Sequence, residues 1–249
     1  QPPLYHTILE LPMTDAALEK QLRVNVRDNI EQERVIRAGF NSSGVSTNNR
    51  LIERHDSPYG AYWKSYDFSS SRGRKNLFAY PLGPYDEEQS FDHAGGEIIF
   101  NLPNGLHAFL LTDEAGRRID KGPTSIVTDP KRPDRTIVNG LSCMTCHSRG
   151  LLDKQDQVRM HVTRNPKAFS KSDSELILAL YKPREDFTKE FQRDMKRYQR
   201  AMEDMGVRLG STEPIVALAL RFESEVDVFT AACEAGISQE QLVKGIQNS

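Results

Sequence analysis

Apolar residues Leu18, Leu22, Val26 and Ile30 return every fourth position behind a capping Thr14, and this spacing predicts helix over 14–40. From 41 to 58 the pattern dissolves into Ser, Asn and Gly, residues that bond their own backbone or accept positive φ, so a surface loop is expected. Between 60 and 120 the period changes to two. GAYWKSYDF alternates aromatic and polar positions, EIIFNL leads into a ProAsnGly turn, HAFLLT follows, and AspGluAlaGly makes the next turn. A short antiparallel meander follows from that pattern.

Pro130 and Pro133 within the polar run 124–140 disfavour both a long helix and a central strand. Beyond residue 140 the period is helical to the end. Ser172 with Glu175 reads as a capping box for a helix stopped by Pro183. Phe187, Phe191, Met195, Tyr198 and Met202 form one stripe of a long helix over 185–205, stopped by Gly206. Pro214 suits the first turn of the next helix, and Ser238 with Gln241 caps the last. The expected class is α+β: N-terminal helices and the meander over 1–140, packed with a mostly helical part over 141–249. One integrated unit is favoured over two domains.

Composition narrows the function. With 37% hydrophobic residues the 249-residue chain can bury a core, and its formal net charge of −2 gives no general attraction to nucleic acid or anionic lipid. No stretch approaches the ~18 apolar residues of a membrane-spanning helix. The chain starts at Gln1 rather than Met, which suits a mature or excised segment whose export signal has been removed. Its three cysteines are too few for a disulfide framework, and two of them stand three apart.

Those two carry the chemistry. Residues 143–147 read CysMetThrCysHis, the spacing of c-type haem attachment: two thiols one helical turn apart reach the two vinyl groups of one haem, and the adjacent imidazole lies under the iron. Cys143 and Cys146 are therefore expected to hold one covalent haem c, with His147 as proximal iron ligand. Two other readings fit less well. Half a zinc site lacks a second close pair of ligands, and a redox dithiol lacks the strand before the motif. Cys233 stands alone on a helical stretch and reads as a small hydrophobe.

The residue on the iron's other face decides what such a haem does. His93, in HisAlaGlyGly before EIIFNL, is the preferred distal ligand, because Gly95 and Gly96 let backbone approach a flat group closely. Met202 and Met205 on the long helix and His55 in the polar loop are the alternatives; each also reads as core filling or a satisfied turn residue. Eight Lys and Arg against four Asp between 121 and 164 make the motif's neighbourhood positive. Arg135 and Arg149 are the nearest candidates for contacts to the haem propionates, and the same charge would suit an acidic redox partner protein.

The motif and the helices after it resemble c-type cytochromes. More closely, GFNSSGVSTNNRLIERH, GAYWKSYDF, NLFAYPLGP, HAGGEIIFNLPNG and NGLSCMTCH are similar to segments of larger mono-haem cytochrome-like modules of exported bacterial proteins. That resemblance implies haem c, a periplasmic or cell-surface location and one-electron transfer, and by motif it carries over only Cys143, Cys146 and His147. Small cytochromes c have no counterpart to the 140 residues ahead of the motif. The expected function is one-electron transfer; a peroxidase- or oxidase-like enzyme with an open distal site and a gas or redox sensor are the rivals.

Overall fold

A computed structural model describes residues 2–85, 90–208 and 214–248. It divides into two units, 1–213 and 214–249, and the cysteine motif shares one unit with the strands before it.

The first unit opens with three short helices, α1 (Pro2–Ile8), α2 (Asp15–Gln21) and α3 (Val26–Glu31). Thr14 caps α2 as expected, its hydroxyl accepting from the Ala17 N–H at 3.2 Å. The single helix expected over 14–40 does not form. Arg23 and Glu33 take positive φ (51° and 55°), which ends α2 and α3 in turn, and the chain then enters a strand.

Five strands form one antiparallel sheet in sequence order: β1 (Ile36–Asn41), β2 (Asn49–Ser57), β3 (Gly60–Asp67), β4 (Gly96–Asn101) and β5 (His107–Thr112). The meander is thus present and extends two strands further toward the N-terminus than the pattern indicated. β2 occupies part of the expected loop 41–58. It looked polar because Glu53 and His55 face inward, fully buried beside Arg37 of β1. Arg37 Nε donates to Glu53 Oε2 at 2.6 Å, His55 Nε2 to Glu53 Oε1 at 2.8 Å, and the Asn29 amide to His55 Nδ1 at 3.2 Å. Every charge in that network has a partner, as burial demands.

The two faces of the sheet bury different clusters. Leu51, Tyr62, Tyr66, Ile98 and Leu110 face one core with α2, which is tied down by Lys64 Nζ at 2.8 Å from Asp15 and 2.9 Å from Glu19. Trp63, Ile99, Phe109 and Leu111 face the other, together with Cys143 and Phe187. The motif helix α4 (Leu141–Cys146), α5 (Val158–Arg164), α6 (Lys171–Leu180) and the long α7 (Arg184–Asp204) complete the unit. α7 agrees with the expected stripe to one residue at each end. The α6 cap is Ser170, bonding the Asp173 N–H, in place of Ser172 with Glu175.

The second unit holds α8 (Ile215–Glu223), α9 (Val228–Ala235) and α10 (Gln239–Gln247). Ser238 and Gln241 form the expected capping box of α10, and Cys233 is exposed rather than buried. No helix among the described residues is long and apolar enough to cross a membrane.

Candidate functional site

The motif helix is placed from both sides. Gly140 adopts φ 76° at its start, where a Cβ would lie 2.8 Å from the Tyr5 ring, so only glycine lets α1 pack this closely. The Tyr5 hydroxyl in turn accepts from the Phe109 N–H at 2.8 Å, joining α1 to β5. Ser142 Oγ accepts the Val138 N–H at 3.1 Å and fixes the entry into α4. At the far end the Gly150 N–H bonds the His147 carbonyl, the Leu151 N–H donates to the Met195 thioether at 3.1 Å, and the Tyr198 hydroxyl donates to the Ser148 carbonyl at 3.2 Å. α7 thereby holds the segment after the motif.

Cys143, Cys146 and His147 all open into one cavity of about 340 Å³ between α4 and the sheet. Its walls are mainly apolar. Ile52, Trp63, Ile99 and Leu111 supply the sheet face, Ile126 and Val127 the segment ahead of the motif, and Phe191 the face of α7. The volume lies within the ~300–1,000 Å³ of cofactor and small-molecule sites.

The His147 imidazole is engaged at both ring nitrogens. Its Nδ1 lies 3.1 Å from the Gly150 carbonyl, to which it must donate, and its Nε2 is directed at the Glu97 carboxylate at 3.5 Å. The imidazole is also stacked on Phe109, centroids 5.8 Å apart. Burial works to lower the His147 pKa, but Glu97 outweighs it and the pKa is raised. Burial works to raise Glu97; His147 outweighs it and holds the carboxyl down to about 2. Burial, reinforced by the Glu97 carboxylate, pushes the Cys143 thiol well above its ordinary value, and burial with Asp129 raises Cys146. Both thiols are free.

The other residues singled out from sequence lie elsewhere. His93 packs edge-on against Tyr66 (5.2 Å) and accepts the Gly95 N–H at its Nδ1 (3.2 Å), in the aromatic cluster of the opposite sheet face. His55 belongs to the buried Arg37 network on that same face. Met205 is exposed, Met202 is half-buried, and neither lines the cavity. Arg135 and Arg149 are exposed and also lie outside the lining; the cations that do line it are Arg50, Lys64, Lys131 and Lys154. Arg50 makes a bidentate pair with Asp67 (2.6 and 2.7 Å), and Lys154 donates to the Ser43 carbonyl at 3.0 Å.

Gly95 and Gly96 do line the cavity, yet their bare Cα atoms face backbone. A Cβ on Gly96 would lie 1.8 Å from the Ser65 carbonyl oxygen, and one on Gly95 2.2 Å from that of Thr112. Glu97 and Arg50 escaped the sequence reading. Glu97 left one trace: in a strand of period two it shares the face of Ile99, so a charge points inward.

Among the described residues, no group of three or more His, Cys, Asp and Glu side chains is gathered to hold a metal ion. Compared with known proteins, the chain matches no family model, no curated protein and no solved structure.

Proposed function

We propose that the cavity beneath the sheet is the seat of one covalently attached haem c, and that the protein transfers single electrons in the bacterial periplasm or at the cell surface. The observation that carries this reading is that both motif thiols and the adjacent imidazole line one apolar cavity. Cys143 and Cys146 would hold the group through thioethers, and His147 would ligate the iron through Nε2, giving up its Glu97 partner at 3.5 Å while Nδ1 keeps the Gly150 carbonyl. Such a group supplies a one-electron couple whose potential is set by axial ligation and burial.

The rival uses of the cysteines are less well supported. A redox dithiol needs a thiolate with a lowered pKa, whereas both thiols here are raised, the first by burial and a neighbouring carboxylate. A structural zinc site needs four ligands, and no such set is gathered among the described residues. Arg50 and Lys154 line the cavity and would take the propionates by exchanging their present partners, the Asp67 carboxylate and the Ser43 carbonyl. Arg135, Arg149 and Lys131 are exposed near the motif, which suits docking of an acidic redox partner.

The test is a spectroelectrochemical titration of protein produced with haem c attachment machinery. A reversible one-electron Nernst curve is expected, together with a rate of exchange with an acidic partner that falls as salt rises. A haem that takes up no electron reversibly would overturn the electron-transfer role.

A further inference from the structure

Exposed apolar side chains are spread unevenly along the chain. Among the described residues sixteen large ones stand exposed; eight of them belong to 214–249, and the other eight are scattered over the much longer first unit, as on an ordinary surface. Each helix of the second unit contributes. Leu218 and Phe222 stand four apart on α8, Phe229 lies on α9, and Val243 and Ile246 stand three apart on α10, so each helix turns apolar side chains outward. Phe222 is 82% exposed and Ile246 65%.

The helices themselves are well specified locally. Asp227 and Ser238 cap α9 and α10, and Gly236 ends α9 at φ 66°. Yet they run only eight or nine residues each, short of the ~12–15 at which a helix becomes even marginal alone in water. Ala232 is the one described side chain of the unit that is buried, so almost no core offsets the cost of ordering three helices. The outward apolar face needs a cover that is present whenever the chain is.

We propose that a second copy of this chain is that cover, the two 214–249 units pairing face to face across a two-fold axis. The area suits a dimer. Scaled by their exposures from ~150–250 Å² for a whole large side chain, the eight present on the order of 800 Å², above the ~300–600 Å² patch of a typical monomer and close to one partner's share of a standard interface. Charge argues against a lipid surface, because five acidic residues stand against two basic ones across 214–249 and an anionic bilayer would repel them. Two acidic units held by an apolar seam have a distinctive salt response: screening their mutual repulsion strengthens the pairing. The proposal is independent of the haem reading.

The experiment is sedimentation equilibrium of the full chain over ~1–100 μM, the range in which pairing of this strength is resolved. The expected mass is twice 28.2 kDa at the upper end, falling toward the monomer on dilution and held higher as salt rises. Phe222→Glu and Phe229→Glu should each weaken pairing ~30-fold or more, with Trp63 emission from the first unit unchanged. Ile246→Glu replaces either variant whose emission shifts. Leu4→Glu, equally exposed but on α1, should leave pairing as it is. A monomer at every concentration overturns the proposal, whatever else covers the face. So does a dimer that survives the substitutions on α8 and α9, is lost in Leu4→Glu, or weakens as salt rises.

Discussion

Asp194 is the joint between the long helix and the sheet, and its replacement tests how the cavity is kept in shape. Its carboxylate is 1% exposed. It accepts from Arg54 Nε at 2.8 Å and Arg54 Nη2 at 3.2 Å, and from the Trp63 indole N–H at 2.9 Å. Asp194→Ala leaves a buried indole donor without a partner, costing ~1–3 kcal/mol, and removes two charge-assisted bonds from a guanidinium that is 4% exposed. Asp56 at 3.0 Å and Glu190 at 3.6 Å still face that guanidinium, so the loss stays below the ~3–5 kcal/mol of a fully orphaned buried charge.

The expected total is about 3 kcal/mol, a large part of the ~5–15 kcal/mol that holds a domain together, and it lowers Tm by roughly 6–12 °C. The assay is urea denaturation followed by circular dichroism and by Trp63, the chain's one tryptophan, whose emission reports on the broken bond itself. Arg27→Ala is the control: its i,i+4 partner Glu31 is exposed, and its loss costs less than ~1 kcal/mol. Asp194→Ala within ~0.5 kcal/mol of the wild type, with unchanged Trp63 emission, would refute the reasoning.

Two further predictions concern the sheet. Glu53 titrates at about 2 in the folded protein against an ordinary 4.5, because Arg37 and His55 outweigh its burial. Its contribution of about 3 kcal/mol is therefore complete above about pH 4.5 and is lost as pH falls toward 2. Urea midpoints between pH 6 and pH 2 should show the loss in wild type and lack it in Glu53→Gln. Gly96→Ala places a Cβ 1.8 Å from the Ser65 carbonyl oxygen and forces β3 and β4 apart, so a loss of ~1–3 kcal/mol or more is expected in the same melts. Gly245→Ala, in open space on α10, should instead gain up to ~1 kcal/mol of helix stability.

Legibility in the sequence tracked how local the governing physics is. α7 was readable because a 3.6-residue stripe, a preceding proline and a terminal glycine act within the element. The β3 to β5 meander was readable from period two and its turns. The first 57 residues were not, because their apolar spacing of four fits a helix, and what interrupts it is positive φ at Arg23 and Glu33, which side-chain type does not announce. β2 was hidden for a different reason: its Glu53 and His55 are core residues only because Arg37 arrives from another strand. In the site, the five-residue motif was legible from spacing alone. Glu97, Arg50 and Phe191 were not, since each reaches the cavity from a different element, and His55 is turned to the face away from it by strand alternation and His93 by the segment before β4.

The most direct test of the central claim is the intact mass of the chain after secretion through a haem c attachment system and full denaturation. One haem added to the polypeptide, lost when Cys143 and Cys146 are both replaced by Ser, is the result predicted. An unmodified mass, or haem that leaves with the denaturant, would contradict it.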